Sequence, residues 1–307
     1  MSLALRDDRL ATAIENAAGL PGTPPLWIAA DTNRAELARW SRMIGRPGAA
    51  PVATPRLDAR WASSFAEVRA CQRLRHEVFV GEMGARLRPP AGAPAGHDVD
   101  LWDPHCEHLM VRALDTESPA AEPQVVGTYR VLTPEAARQA GGFYTETEFD
   151  LTRLRALRPQ LAEIGRSCVH PAHRQGGVIL SLWAELARFM VANGLEYVIG
   201  CASVPMRDGG HAAASLWRQL AQDHLAPIEW RVTPRLALPV EELRSDLVVE
   251  PPPLVKGYLR CGARLLGAPA WDPDFGTADL PLLIRLADMP ARYRRHLLGE
   301  AAEGGAA

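Results

Sequence analysis

A glutamate in an otherwise apolar stretch is the first residue of this 307-residue sequence suited to acid–base chemistry. Glu163 lies between Leu161 and Ile164, and burial of a carboxylate raises its pKa towards neutrality. Such a group can accept a proton from an ammonium group that must become neutral before it acts as a nucleophile. The position also suits a structural ion pair with Arg130 or Arg166, and the sequence leaves both roles open.

A glycine-rich loop is the second feature suited to chemistry. The segment 168–179 reads Cys-Val-His-Pro-Ala-His-Arg-Gln-Gly-Gly-Val-Ile and leads from an apolar strand into an amphipathic helix. The adjacent glycines let the backbone approach a ligand, and the first amides of a helix are unpaired donors. With an arginine beside them they predict a phosphate site, although an ordinary tight turn is the alternative. The predicted phosphate-binding residues are Arg174, Gln175, Gly176, Gly177 and Val178.

The composition argues against several classes of protein. Hydrophobic residues make up 47% and charged residues 23%, values typical of a globular protein with a sizeable core. The net charge of −2 argues against a nucleic-acid partner. No apolar run approaches the roughly 20 residues of a membrane span, and the acidic N-terminus does not resemble a signal peptide. Five cysteines without close pairing favour a reducing compartment, so we expect a cytoplasmic protein.

The segment 105–108, His-Cys-Glu-His, contains residue types that can bind a metal ion. These side chains are crowded and no matching second pair of ligands follows, so the motif is weak and no metal site is predicted.

Alternating strands and helices must position these residues. Apolar patterns predict strands over 57–61, 107–114, 124–132, 161–169, 196–203, 230–238 and 280–286. Helical spacing predicts helices after the N-cap residue Ser64, from about Ile179, over 212–225 and over 253–266. This alternation predicts an α/β fold, with one main domain rather than two.

The loop pattern Arg174-x-x-Gly177-x-Ile179 resembles the phosphate loop of the GNAT superfamily of N-acyltransferases. In that superfamily the loop binds the pyrophosphate of coenzyme A or the phosphate of an acyl carrier protein's phosphopantetheine. Ile179 replaces the small residue usual at the last position, which favours acyl carrier protein as the donor. The resemblance implies acyl-phosphopantetheine as a co-substrate, with acyl-coenzyme A as the second candidate, and no permanently bound cofactor.

Further motifs resemble the ornithine–acyl carrier protein N-acyltransferases, also called hemolysin-like, which begin ornithine-lipid synthesis. In order they are Leu74-Arg-His-Glu-Val-Phe79, Asp98-Val-Asp-Leu-Trp-Asp103, Cys106-Glu-His-Leu-Met-Val111, Gly127-Thr-Tyr-Arg130, Glu163-Ile-Gly-Arg-Ser-Cys168, Pro252–Arg260 and Asp272–Asp279. A subset also resembles acyl-homoserine-lactone synthases: Arg75, Phe79, Asp100, Asp103, Arg130, Glu163 and Arg166. The resemblance implies a GNAT-like mixed central sheet flanked by helices over 55–299. A partly disordered extension over 1–54 precedes this domain, and a disordered tail over 300–307 follows it.

The resemblance implies transfer of a 3-hydroxyacyl group from acyl carrier protein to the α-amine of L-ornithine, giving lyso-ornithine lipid. The expected catalytic residues are Glu163, Arg166 and Arg130, and the expected acceptor-binding residues are Arg75, Phe79, Asp100 and Asp103. Arginines suit the carboxylate of ornithine, and the aspartates at 98, 100 and 103 suit its distal ammonium group. Exposed ion pairs of little energetic value are the alternative for these charges.

Other steps of such a reaction have several candidate groups. Backbone amides near Ser167–Val169 are expected to stabilise the oxyanion, and Tyr129, Tyr258 or solvent to protonate the leaving thiolate. Cys168 and Cys201 are expected in the core rather than as nucleophiles. The basic segment 292–298 suits acyl carrier protein or the inner membrane, with a solvated helix face as the alternative. Homoserine-lactone synthesis, acylation of another amino acid and an inactive lipid-binding module remain open.

Overall fold

The computed structural model describes residues 56–114, 122–174 and 177–298. The predicted extension over 1–54 and tail over 300–307 lie outside the described residues. So do Gln175 and Gly176, two of the predicted phosphate-binding residues.

A central sheet of eight strands organises the described part of the chain. The strands are β1 (Arg56–Trp61), β2 (Glu107–Leu114), β3 (Gln124–Leu132), β4 (Phe149–Asp150), β5 (Leu161–Val169), β6 (Tyr197–Pro205), β7 (Thr233–Pro234), β8 (Arg264–Leu265), β9 (Ala270–Asp272) and β10 (Thr277–Arg285). The central order is β1-β2-β3-β5-β6-β10-β8, with β9 added to β10, while β4 and β7 form a separate pair. Its pairs are antiparallel except for β5 with β6, which confirms the predicted mixed sheet.

Helices cover both faces of this sheet, as predicted. They are α1 (Phe65–His76), α2 (Pro134–Gln139), α3 (Gly177–Ala192), α4 (His211–His224), α5 (Pro253–Arg260) and α6 (Ala291–Leu298). Apolar residues of α3, α4 and α5 join the largest core cluster on one face. Alternate residues of β5 point to the opposite face, where α1, α2 and the segment 143–154 pack. Within the described residues we find no helix with the length and apolarity that crossing a bilayer requires.

The strands β5 and β6 pair over a short distance and then separate. Leu161–Glu163 pair with Tyr197–Ile199, although both strands continue for several residues beyond this register. A β-bulge accompanies the separation: Gly165 pairs with Arg130 and Cys168 with Thr128, so that two residues of β5 oppose Tyr129 of β3. The separation opens a gap in the middle of the sheet.

Arg166 is the residue that turns the backbone at this bulge. Its φ of 49° lies in the left-handed region, which is strained for a residue with a β-carbon. The bulge comprises Arg166 and Ser167 and thus begins one residue before the segment predicted to supply the oxyanion amides. A bulge of this kind redirects side chains and backbone amides towards whatever lies beside the strand.

Two of the predicted elements are wrong. The segment 230–238 forms a strand of only two residues, Thr233–Pro234, followed by one isolated bridge from Ala237 to Ala270. Pro234 has no amide hydrogen to donate to a ladder, so a continuous strand is not expected through it. The helix predicted over 253–266 ends at Arg260, where Gly262 adopts a φ of 90° and lets the chain turn into β8. The predicted strands over 107–114, 124–132 and 161–169 are confirmed, and Ser64 caps α1 as predicted.

Candidate active site

A cavity occupies the gap between β5 and β6, and we call it the central cleft. Its walls include Glu163, Arg166 and Ser167 of β5 and Cys201 of β6. Phe79, predicted to contact the acceptor, lies on a π-helical turn after α1 and also lines the cleft. The cleft thus passes through the sheet and brings residues from both faces to one space.

Glu163 faces the central cleft with its carboxylate held by three donors. Its Oε2 accepts the Tyr144 amide at 2.7 Å, and its Oε1 accepts the Thr145 amide at 2.6 Å and also the Thr145 hydroxyl. Burial raises the pKa of Glu163, while these hydrogen bonds and the Arg130 charge act against the rise. Because an ionised carboxylate has about four acceptor positions, about one remains for a water or a proton.

The predicted alternative of an ion pair between Glu163 and Arg130 or Arg166 is not observed among the described residues. Both arginines instead contact Asp100, with Nη1 of Arg130 at 2.6 Å and Nη2 of Arg166 at 3.2 Å from its carboxylate. Burial raises the pKa of Asp100, but the two guanidinium charges outweigh this and lower it to about 2. Asp100 is therefore an ionised carboxylate whose charge is already compensated.

Arg75 and Asp103 lie behind the cleft, in the same ionic cluster. The Arg75 side chain is 0% exposed, and its guanidinium contacts Asp98 at 2.9 Å and Asp103 at 2.7 Å. Neither Arg75 nor Asp103 lines the central cleft. Their geometry suits positioning of Arg130 and Arg166 better than direct contact with an acceptor.

A second cavity, which we call the side cavity, meets the central cleft at a shared wall. The wall consists of Tyr144, Arg166, Asp272 and Phe275, and the side cavity extends from it past Glu148. The Arg166 guanidinium lies 4.8 Å from the ring centres of both Tyr144 and Phe275. These two cation–π contacts hold the positive charge of Arg166 at the junction of the two cavities.

Two tyrosines meet in the central cleft, on the face of the sheet that α3 and α5 cover. The hydroxyl oxygens of Tyr129 and Tyr258 are 2.5 Å apart, and the indole N–H of Trp183 donates to Tyr129 at 3.2 Å. Burial raises the pKa of both phenols, so both stay protonated at neutral pH. The two residues predicted as alternative proton donors therefore form one hydrogen-bonded pair.

The described part of the phosphate loop lies at the start of α3. The side chain of Val178 is buried against Gly127, so that only its backbone amide can face a ligand. Arg174 forms a two-pronged ion pair with Glu82, at 2.6 and 2.5 Å, and also donates to the Val169 carbonyl at 3.0 Å. A phosphate would thus meet a guanidinium that already has an acidic partner.

The cysteines considered as nucleophiles have unsuitable surroundings. Burial raises the pKa of the Cys168 thiol, which packs in an apolar cluster with Leu74 and Phe79. Burial and the neighbouring Glu148 carboxyl also raise the pKa of Cys201. These effects oppose formation of the thiolate that covalent catalysis needs.

The family model described as Acetyltransferase (GNAT) domain matches residues 74–184. L-Ornithine N(alpha)-acyltransferase of Agrobacterium fabrum is 36% identical over 256 residues, which cover 80% of this chain and 86% of that protein. The chain belongs to the L-ornithine N(alpha)-acyltransferase family. The enzyme of the same name from Rhizobium meliloti is 35% identical, with 80% and 85% of the two chains covered.

The acyltransferase is also similar to solved structures at a lower level. The crystal structure of the AHL synthase LasI aligns with a TM-score of 0.45 and 14% identity, covering 80% of this chain and 97% of that one. A similarity of this size carries no argument about the reaction. The ornithine relatives, at 35–36% identity, fit the sequence better.

An acidic group beside the cleft of the acyltransferase was missed by the sequence analysis. Glu148, Cys201 and Asp279 approach one another, with their ligand atoms within 4.8 Å. Asp279 belongs to the family-like segment 272–279, which carried a resemblance but no predicted role, and Glu148 lies in an irregular segment without periodic signal. The acidic composition of 144–150 was the one sign of this group in the sequence.

Proposed function

We propose that this acyltransferase moves a 3-hydroxyacyl group from acyl carrier protein to the α-amine of L-ornithine and so forms lyso-ornithine lipid. The observation that carries the proposal is the central cleft between β5 and β6, with Glu163 on its wall and Arg166 where it meets the side cavity. A thioester arm in the cleft and an amino acid in the side cavity would meet at this junction. The names of the curated relatives support ornithine as the acceptor.

The donor's phosphate is proposed to lie at the N-terminus of α3. The unpaired amides of Gly177 and Val178 and the helix dipole favour an anion there. Arg174 would add a positive charge, either by contacting the phosphate and Glu82 together or by leaving Glu82 for the phosphate. A single phosphate fits this small set of donors, which supports acyl carrier protein, and acyl-coenzyme A is the alternative donor.

Acyl transfer begins in this proposal with removal of a proton from the α-ammonium group. Glu163 accepts that proton, directly or through one water, at its remaining acceptor position. The neutral amine attacks the thioester carbon, the new C–N bond forms, and the carbonyl electrons move to oxygen. In this proposal the backbone amides at the Arg166–Ser167 bulge stabilise the oxyanion, and the irregular pairing of β5 there supports that assignment.

Collapse of the tetrahedral intermediate breaks the C–S bond. The departing thiolate takes a proton from the hydroxyl of Tyr258 or Tyr129, whose pair lines the same cleft, with solvent as the alternative. Both phenols are protonated at neutral pH because burial raises their pKa values. As the amide forms, the nitrogen gives up its second proton, which restores the phenol through solvent, and Glu163 releases the first proton to solvent. The products are an N-acyl amino acid and the free pantetheine thiol.

Partner binding is proposed to use the basic surface of α6. Arg292 and Arg295 are exposed, while Leu297 packs into a buried position beneath them. This leaves an outward positive charge suited to an acidic carrier protein or to a peripheral contact with anionic inner-membrane lipid. A solvated helix face without a partner is the alternative.

Purified protein incubated with 3-hydroxyacyl carrier protein and separate amino acids tests the proposal. Mass spectrometry of the products should show an N-acylated ornithine, with lysine, glutamine, glycine and S-adenosylmethionine as competing acceptors. Replacing the donor with acyl-coenzyme A separates the two donor classes. Formation of acyl-homoserine lactone, or no transfer to ornithine, would contradict the proposal.

A further inference from the structure

Three acidic side chains surround the junction of the two cavities. Glu148 lines the side cavity, Asp279 lines the central cleft, and Asp272 lines both. Side-chain oxygens of Glu148 and Asp279 lie within 4.8 Å of each other and of the Cys201 sulfur. Carboxylates this close cannot all ionise unless a cation compensates their charge.

Glu148 is the member of this group without a donor from the backbone or from a charged side chain. Both of its carboxylate oxygens are buried, and neither accepts a hydrogen bond from such a group within the described part of the chain. Its polar neighbours are the Asp279 carboxyl and the Cys201 thiol. A buried carboxyl that has no donor from the backbone or from a charged side chain is poorly satisfied, and a ligand that brings a charged donor would satisfy it.

The other two carboxylates have neutral partners. Asp272 accepts the backbone amides of Asp274 and Phe275 at 2.8 and 3.0 Å, and Asp279 accepts the Thr277 hydroxyl at 2.9 Å. These donors carry no charge, so none of them compensates the acidic group. Burial raises the pKa of Glu148 and of Asp279, and the charge of Asp272 adds to both rises. Such a group holds a proton until a cation replaces it.

We propose that Glu148 and Asp279, with Asp272 beside them, bind the distal ammonium group of a diamino acid acceptor. The inference rests on the proposed function and names the part of the site that selects the acceptor. Arg166 at the same junction suits the α-carboxylate, so that the cavity offers opposite charges to the two ends of the amino acid. The α-amine is then left beside Glu163.

This assignment replaces the expectation that Asp98, Asp100 and Asp103 bind the distal ammonium group. Those aspartates already contact Arg75, Arg130 and Arg166. A divalent metal ion is a less suitable occupant for the Glu148 group, because its third ligand would be a thiol whose pKa is raised.

The test compares L-ornithine with L-norvaline, which has the same carbon chain without the distal amine. Wild-type protein should acylate ornithine with a kcat/KM at least about 100-fold above that for norvaline, since an unfilled polar site rejects the shorter analogue. Glu148→Gln and Asp279→Asn should lower the value for ornithine about 10- to 100-fold and change that for norvaline less than about threefold. Retained norvaline acylation shows that the variants fold. Asp150→Asn, an exposed carboxylate two residues from Glu148, is the matched control and should behave as wild type.

Calorimetric binding of each amino acid without acyl donor gives a second readout. Ornithine should bind wild-type protein more tightly than norvaline, and Glu148→Gln should remove the difference. Equal losses for both amino acids, or no preference in wild type, would overturn the inference. Stoichiometric Mn²⁺ binding that Glu148→Gln abolishes, without any ornithine preference, would overturn it in favour of a metal site. Absence of acyl transfer to every amino acid would reject the proposed function, while the binding arm still decides this inference.

Discussion

Glu163 combines burial with three hydrogen-bond donors, and its chemistry depends on which effect dominates. Burial favours the protonated carboxyl, whereas the amides of Tyr144 and Thr145 favour the carboxylate. The net direction is a raised pKa, and this makes the group a better base than an exposed glutamate. The same donors also fix the direction of the carboxylate, so that one side faces the cleft.

Glu163→Gln is expected to lower kcat at least about 100-fold, because the amide cannot accept the proton of the α-ammonium group. The NH₂ group of the glutamine would also face a backbone N–H group, so that two donors meet without an acceptor. We expect this to lower the free energy of unfolding by about 1–3 kcal/mol. Rate and urea unfolding are therefore measured together. A variant that folds and keeps the wild-type rate would contradict the role of base.

The pH profile gives an independent check on the same residue. Because the base must be ionised, kcat/KM should fall as the pH drops through the pKa of Glu163. This acid limb of the profile should lie above pH 4.5, since burial raises the pKa of Glu163 above that ordinary value. Glu163→Asp should retain a limb of the same sign, whereas Glu163→Gln should lose it. An acid limb that is unchanged in Glu163→Gln would assign the limb to another group.

Residue types in the sequence predicted part of the lining of the central cleft. Glu163, Arg130 and Arg166 were found because charged groups in an apolar strand or a family-like motif need a reason to be there. Glu148 was not found, because an acidic residue in an irregular segment is ordinarily solvated. Its proposed role depends on β6 and β10, which bring Cys201 and Asp279 beside it.

At the scale of elements, the bulge in β5 is what turns an ordinary strand into one wall of a site. Pairing with β3 resumes after the bulge, while pairing with β6 does not. The backbone at Arg166 is left-handed there, a conformation that costs a non-glycine residue about 1–2 kcal/mol. The strain is the cost of placing a guanidinium at the junction of the two cavities.

Arg166→Gly and Arg166→Ala isolate this strain, because both remove the same charge. The alanine variant should be less stable than the glycine variant by about 1 kcal/mol, since glycine adopts the left-handed conformation freely. Urea unfolding of the two variants measures the difference. Equal stabilities would mean that the bulge is not strained as described.

Close packing of β3 against α3 sets the position of the first turn of α3, where the donor's phosphate is proposed to bind. A β-carbon on Gly127 would lie 2.3 Å from Cγ1 of Val178, so Gly127→Ala must displace the first turn of α3. We expect a loss of stability of about 1–3 kcal/mol and a raised KM for the acyl donor, with little change in KM for ornithine. Gly81→Ala is the control, because a β-carbon there meets nothing within 4 Å. An unchanged donor KM in Gly127→Ala would contradict the placement of the phosphate.

The elements differ in how well their sequences predicted them. Strands β2, β3 and β5 have the predicted bounds because each is long and apolar enough to carry its own signal. The segment 230–238 has a similar apolar content, yet it forms a two-residue pair with β4 and one isolated bridge to Ala270 instead of a continuous strand. The bulge and the separation of β5 from β6 are contacts between distant segments, and no local pattern fixes them.

At the scale of the whole molecule, a buried ionic cluster links α1 to the sheet beside the active site. Arg75 of α1 contacts two aspartates of the loop before β2, and Asp100 of that loop contacts Arg130 of β3. Breaking one partner of such a cluster leaves a buried charge uncompensated and destabilises a protein by about 3–5 kcal/mol. The cluster therefore couples folding to the geometry of the cleft.

The stability that Asp100 contributes to the folded protein should be lost at low pH. The pKa of Asp100 is lowered from 3.8 to about 2, so its contribution to stability is present above pH 4 and is lost as the pH falls towards 2. The lowered pKa corresponds to about 2 kcal/mol of stability at neutral pH. The difference in unfolding free energy between wild type and Asp100→Asn should shrink by about that amount between pH 5 and pH 2. A difference that stays constant over this range would contradict the ionic role of Asp100.

Binding of two substrates from opposite sides of one gap is the central claim, and a crystal structure with a non-hydrolysable acyl-pantetheine thioether and L-ornithine tests it most directly. We predict the phosphate at Gly177 and Val178, the thioether sulfur between β5 and β6, and the α-amine within reach of Glu163, directly or through one water. A phosphate bound elsewhere, or an ornithine outside the side cavity, would contradict the account.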